Sequence, residues 1–245
     1  MLDRSQLTPI NNISPDEWYK FEGLAHAWRD DNGPFRRVLA FNRCRAACIN
    51  DLIDHHQGDA HLEILDIGCG AGILTEAVAG ANRQVTGIDV SGHNIEVARF
   101  HAQQRNHNLH YRHCLAHTLL EEPTRFDVVL NTEVVEHVPD PAQLIRQSAQ
   151  LVKPGGLLII ATLNRTWLSY LVAIIGAEYL LKALPKGTHD WHHFVTPEEV
   201  AVAASSVGCT PITALGMAMN PMNGKWRITN STAVNYLSVF RKNGD

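Results

Sequence analysis

One run of nine residues, Ile64-Leu65-Asp66-Ile67-Gly68-Cys69-Gly70-Ala71-Gly72, constrains this chain more than any other. It is answered seventeen residues later by Asp89, at the end of Gln84-Val85-Thr86-Gly87-Ile88. A short apolar run, a glycine-rich turn and helical character from Ile73 to Ala81 predict a strand, a tight turn and a helix. In an open α/β sheet the ligand crevice lies at the carboxyl ends of the strands, where backbone without side chains can approach a ligand closely. An acid ending the second strand faces that crevice and can accept both hydroxyls of a ribose. The expectation is a nucleoside-binding crevice built on Gly68, Gly70, Gly72 and Asp89.

The glycines alternate, unlike the dinucleotide fingerprint G-x-G-x-x-G, and Asp66 lies just ahead of them inside the strand. This D-x-G-x-G-x-G form resembles the first motif of the class I S-adenosylmethionine-dependent methyltransferases. Their cofactor carries charges of both signs on its amino-acid part and has no pyrophosphate. The resemblance implies S-adenosylmethionine, not a nicotinamide dinucleotide.

At 245 residues and 45% hydrophobic content the chain can bury one substantial core, so a single domain over 1–245 is expected. A net charge of -4, with lysines and arginines thinly spread, provides no basic stripe for nucleic acid. Five cysteines without framework spacing point to a reducing compartment. Cys69 fits the tight turn as a small side chain, and no base beside it makes it a nucleophile. Met1 to Asn12 contains neither an apolar stretch nor an arginine-rich amphipathic run, which suggests the cytoplasm of a bacterium.

Past the glycine motif, strands and helices alternate as a doubly wound α/β sheet requires. Helices are expected from Ser91 to Gln104, Pro141 to Val152 and Pro197 to Ser206. Strands are expected at Leu109–Arg112, Arg125–Leu130, Leu157–Thr162 and near Pro211–Gly216 and Ala233–Phe240, with Lys153-Pro154-Gly155-Gly156 as a turn. Seven strands with the last antiparallel is the methyltransferase variant of the Rossmann arrangement. Two stretches fall outside it: an N-terminal helical segment (1–60, with two helices in Pro15 to Gln57) and an insertion after the fifth strand (164–195). Extra segments near the crevice edge are natural substrate-recognition parts.

Within that insertion Trp167 to Leu184 is almost wholly apolar, but Glu178 and Lys182 interrupt it one helical turn apart, against a spanning helix. Two readings stand: a buried helix packed on the domain, or an interfacial lid that meets lipid or a greasy substrate, with Lys182 and Lys186 near anionic headgroups. After the fourth strand comes Thr132-Glu133-Val134-Val135-Glu136-His137. If this segment is helical, Glu133, Glu136 and His137 project from one face. Two carboxylates and an imidazole can hold a divalent cation such as magnesium or zinc, which would stabilise a phenolate or catecholate oxygen for attack on a sulfonium methyl group. The same E-x-x-E-H can also be a structural corner. His107, His110, His113 and His117 look ligand-like, but the first three span a strand with alternating faces; His192 and His193 read as surface or lid residues, and His189 and Asp190 either face the substrate or belong to a polar loop.

Taken together, the chain resembles the ubiquinone-biosynthesis O-methyltransferases. The likeness includes Lys20-Phe21-Glu22, Trp28, Ile64 to Glu76, Glu133 to Asp140, Leu151 to Gly156 and Thr162-Leu163-Asn164-Arg165. It continues through Val172 to Tyr179, Leu184 to Asp190, Gly216-Met217, Asn220-Pro221 and Val234-Asn235-Tyr236. The resemblance implies an S-adenosylmethionine-dependent O-methyltransferase that modifies polyprenylated catechol and demethylubiquinol intermediates. It implies cofactor contacts from Arg45, Gly68, Asp89 and Thr132, and metal ligation or base catalysis by Glu133, Glu136 and His137. It further implies lipid contact through 167–184, peripheral attachment to the cytoplasmic face of the membrane, and other ubiquinone-biosynthesis proteins as partners. Another hydroxylated acceptor, or a catalytically silent cofactor-binding component of a membrane-associated assembly, are the alternatives. One departure stands out: where the family carries a histidine and N-P-x-R, this chain has Leu39 and Asn42-Arg43-Cys44-Arg45. No acid follows the third strand, where the chain reads Cys114-Leu115-Ala116-His117.

Overall fold

The computed structural model describes Asn12, Ser14 and residues 36–58, 60–103, 109–170, 194–220 and 222–244. Among them the strands are β1 (Leu62–Ile67), β2 (Arg83–Asp89), β3 (Leu109–His113), β4 (Phe126–Thr132), β5 (Val152–Leu163), β6 (Cys209–Met219), β7 (Trp226–Thr229) and β8 (Asn235–Lys242). They form one eight-stranded sheet in the order β3-β2-β1-β4-β5-β8-β6-β7. The first five are parallel, and β8 runs antiparallel to both of its neighbours. β1 and β4 lie side by side in the interior of the sheet and are almost wholly buried, as parallel strands covered on both faces must be.

The helices are α1 (Arg36–Gln57), α2 (Ile73–Ala77), α3 (Gly92–Ala102), α4 (Ala116–Leu120), α5 (Pro141–Gln150) and α6 (Pro197–Ser205). Alternate residues of the strands feed two cores. Leu65, Val129, Leu158 and Ile160 pack with α4, α5 and α6. Ile64, Val128, Leu130 and Ile159 pack with Ile49 and Ile53 of α1 and Leu74 of α2. Helix starts follow local chemistry. Ser91 Oγ accepts from Asn94 N at 3.0 Å, and the Asp140 carboxylate accepts from Gln143 N at 2.8 Å with Pro141 in the first turn. Thr196 and Glu199 form a reciprocal capping box at α6. Each such cap contributes about 1 kcal/mol.

Two expectations need correction. Among the described residues there are eight strands, not seven, because β6 continues to Met219 and pairs with the short edge strand β7. Trp226-Arg227-Ile228-Thr229 is half-buried to exposed and too short to print an alternating signal. The fifth strand begins at Val152, not Leu157: Lys153 to Gly156 is not a free turn but a bulged entry, where the β4 register shifts between Phe126 and Val128 and Gly155 takes φ 78°. The helix expected to end at Gln104 is described to Ala102, and the earlier of the two expected N-terminal helices lies outside the described residues.

Candidate functional site

The glycine loop leaves the carboxyl end of β1 and lies against the corner that follows β4. Gly68 has φ 70°, and a Cβ added to it would stand 2.3 Å from Val134 Cγ2; Gly72 has φ 81°, and a Cβ there would stand 2.4 Å from the Tyr111 hydroxyl. Glycine is therefore demanded twice over at both positions, by backbone conformation and by the neighbour that fills the space. A Cβ at Gly70 would meet nothing within 4 Å, so that position opens toward the crevice.

Asp89, at the end of β2, is buried, and its carboxylate already holds the loop. Oδ2 accepts from Gly70 N at 2.9 Å, and Oδ1 from Ser91 N at 2.8 Å. A carboxylate offers about four acceptor positions, so some remain for hydroxyl groups of a ligand. Burial raises its pKa, while the Ser91, Gly70 and Asn94 hydrogen bonds oppose that shift. Inside β1, Asp66 accepts from Thr75 Oγ1 at 2.6 Å and is pushed up to about 6 by burial.

Arg45 enters from α1. It is 5% exposed and donates from Nη1 to Glu133 Oε1 at 2.8 Å and from Nη2 to Asn42 Oδ1, while its buried Nε has no partner among the described residues. Arg43 is exposed on the same uninterrupted helix and Leu39 is buried in it, so the departures at these positions leave the Asn42–Arg45 geometry standing. An orphan guanidinium N–H in a buried place is a donor prepared for an anion.

Glu133 adopts φ 57°, the left-handed region, with its N donating to Ala161 O at 2.8 Å. A non-glycine residue held there is strained by roughly 1–3 kcal/mol, which is typical of functional sites. The chain then makes a single 3-10 turn, Val135–His137. The expected shared helical face is thus corrected: Glu133 lies outside the turn and is directed to Arg45, while Glu136 and His137 belong to the turn. Among the described residues no three His, Cys, Asp or Glu side chains stand together as a metal-ligand set. Glu136 is 3% exposed, and neither carboxyl oxygen has a hydrogen-bond partner of ordinary geometry among the described residues. Burial, then the neighbouring Glu133 charge, pushes it up to about 7 against the favourable influence of His137 and of the nearby Thr162 hydroxyl. A buried carboxyl that titrates near neutrality can exchange a proton with a substrate.

Thr132 is buried at the end of β4, directly before Glu133. Arg45, the glycine loop, Asp89, Thr132, Glu133, Glu136 and His137 thus gather at the carboxyl ends of β1, β2 and β4. His113 meets Val90 O at 3.0 Å and His110 is exposed; His107, His189, Asp190, His192, His193 and the stretch beyond Tyr170 lie outside the described residues. Sequence reasoning missed Thr75, Asn94 and Tyr111, whose roles are visible only through partners on other elements or on neighbouring turns.

Residues 37–214 match a methyltransferase domain family. A ubiquinone biosynthesis O-methyltransferase of Methylobacterium nodulans is 44% identical over 92% of this chain and 94% of its own length. One of Ruegeria pomeroyi is 42% identical over 94% of this chain and 96% of its own. Among solved structures, magnesium protoporphyrin IX methyltransferase from Synechocystis PCC 6803 with bound SAM superposes with a TM-score of 0.61 at 15% identity, covering 99% of this chain and 98% of that one. The same sheet and helices recur in an N-methyltransferase from Bradyrhizobium japonicum in complex with S-adenosyl-L-homocysteine, with a TM-score of 0.60 at 18% identity over 92% of this chain and 98% of that one.

Proposed function

The chain belongs to the ubiquinone biosynthesis O-methyltransferases, and from that membership we propose that it methylates a phenolic hydroxyl of polyprenylated catechol and demethylubiquinol intermediates. The observation that carries the chemistry is the convergence of a buried arginine with an N–H unsatisfied among the described residues, an open glycine loop tied to Asp89, and the buried Glu136 carboxyl, whose oxygens make no hydrogen bond of ordinary geometry among the described residues. S-adenosylmethionine supplies, when bound, a methyl group on positively charged sulfur. Arg45 fits its carboxylate, Asp89 its ribose hydroxyls, and Gly68, Gly70, Gly72 and Thr132 line the approach.

Glu136 takes the phenolic proton as the oxygen attacks the methyl carbon in line. An O–C bond forms, the S–C bond breaks, and S-adenosylhomocysteine and the protonated carboxyl remain. Alignment supplies most of the acceleration, since the reaction asks the protein for little beyond position and proton removal. His137 lies beside Glu136 and favours its ionised form. A magnesium or zinc ion on Glu133, Glu136 and His137 is the other reading of this corner. As arranged, Glu133 is committed to Arg45 and the three side chains do not make its ligand set, so no step is routed through an ion.

The prenyl chain places the substrate in a bilayer, since burial of each methylene contributes about 0.8 kcal/mol. The enzyme therefore works at the cytoplasmic membrane surface, in contact with lipid through 167–184. The described start of that segment supports this reading: Trp167 is 73%, Tyr170 43% and Leu168 40% exposed. Among the described residues no helix is long and apolar enough to cross a membrane.

The test is transfer of labelled methyl from S-adenosylmethionine to short-chain prenyl catechols, before and after chelation. Transfer that survives chelation is expected. Transfer lost on chelation and restored by added magnesium or zinc would replace Glu136 by an ion as the agent that generates the phenolate. Transfer only to unprenylated acceptors, or to none, would overturn the substrate assignment.

A further inference from the structure

The edge strand β7 is joined to the site by an unbroken line of side chains. The Trp226 indole meets the Phe41 ring edge-on, with centroids 4.8 Å apart and planes at 62°. Phe41 lies one helical turn before Arg45 on α1, and the Arg45 guanidinium carbon stands 5.1 Å from the centroid of its ring. Arg45 then crosses to Glu133 at 2.8 Å. We propose that Trp226 is a positioning residue that, through Phe41, holds the Arg45 guanidinium in the orientation that receives the carboxylate of the cofactor. The inference rests on the reading of Arg45 given above.

The physical reasons are steric and electrostatic. Arg45 is buried, with two nitrogens spoken for by Asn42 and Glu133 and Nε without a hydrogen-bond partner among the described residues. A guanidinium at the end of four side-chain torsions keeps one direction only where walls confine it, and an aromatic face is a wall that also attracts it. Phe41 can be that wall only if its own ring is kept from rotating away, and the half-buried Trp226 packs edge-on against it. Trp226 sits opposite Met219 in the β6–β7 ladder, so the hairpin presents its indole to α1 at a fixed height. A strand added to the margin of the sheet therefore acts on the opposite end of a ligand-binding network.

Calorimetric binding of two probes tests this. S-adenosylhomocysteine carries the amino-acid carboxylate, whereas 5′-methylthioadenosine carries the same nucleoside and sulfur without it. Trp226→Ala is expected to weaken S-adenosylhomocysteine about tenfold while 5′-methylthioadenosine stays within about twofold, as the loss of orientation at one charged contact would do. Trp226→Phe should retain most of the affinity, and Phe41→Leu should reproduce the loss. Arg45→Ala should show the same selectivity at larger amplitude. Equal weakening of both probes in Trp226→Ala, or no weakening in either Trp226→Ala or Phe41→Leu, overturns the proposal. An Arg45→Ala protein that loses no selectivity overturns the Arg45 reading beneath it. Should Trp226→Ala fail to fold, Trp226→Leu and Phe41→Leu give the same comparison.

Discussion

Asp89 illustrates how one carboxylate serves two masters. Its oxygens accept from Gly70 N and Ser91 N, so it shapes the loop before any ligand arrives. An amide at this position keeps one acceptor and turns a donor toward one of those two N–H groups. Asp89→Asn is therefore expected to lower S-adenosylmethionine affinity by roughly ten- to a hundredfold, the range for a lost hydrogen bond to a charged group. Titration calorimetry reads the loss, and unchanged affinity in the folded variant would remove Asp89 from the site. The acid itself was legible in the sequence, because the end of the second strand is where the crevice opens. Its hold on Gly70 was not, since nothing in the spacing of the two residues tells a ribose acceptor from a loop tether.

At the level of elements, legibility followed the strength of the local signal. Ser91, Pro141 and Pro197 announced the starts of α3, α5 and α6, and the apolar run of β4 marked a buried strand. β7 escaped because an edge strand of four residues owes its existence to pairing with β6, which no local pattern encodes. The helical form that would set Glu133, Glu136 and His137 on one face fails for a related reason. Val134 packs against the bare Cα of Gly68, and Glu133 adopts its left-handed backbone where the strand ends against it, so contact with a distant loop decided against the helical turn. The exposed turn at Trp167, capped by Thr166, is the described element on which the proposed membrane contact can be tested. Replacing Trp167, Leu168 and Tyr170 with serine should reduce flotation with anionic liposomes and lower turnover of long-prenyl acceptors, with cofactor affinity unchanged. Flotation equal to that of the parent protein would restrict these residues to packing.

Across the whole molecule, the two buried acids Asp66 and Glu136 link function to stability. Burial raises both, Asp66 to about 6 and Glu136 to about 7, above the values they have in an unfolded chain. A carboxyl raised in this way stabilises the fold fully below its unfolded pKa, and that contribution is lost as pH rises through the folded value. For Glu136 the window runs from its ordinary 4.5 up to about 7. Across it the parent protein should lose stability relative to Glu136→Gln, with a slope of at most about 1.4 kcal/mol per pH unit. Thermal melts of the two proteins at matched pH check the sign: a difference independent of pH would mean that Glu136 ionises normally. The order of the strands carries a consequence of another kind, for biosynthesis. β5 is covered along one edge by β8, which is itself wedged between β5 and β6 and buried along most of its length. About seventy residues separate Leu163 from Asn235, so at ~5–20 residues per second the ribosome leaves that edge of β5 unpaired for several seconds. During that interval a hydrophobic strand edge is open to pairing with other nascent chains, and only the arrival of β8 closes it.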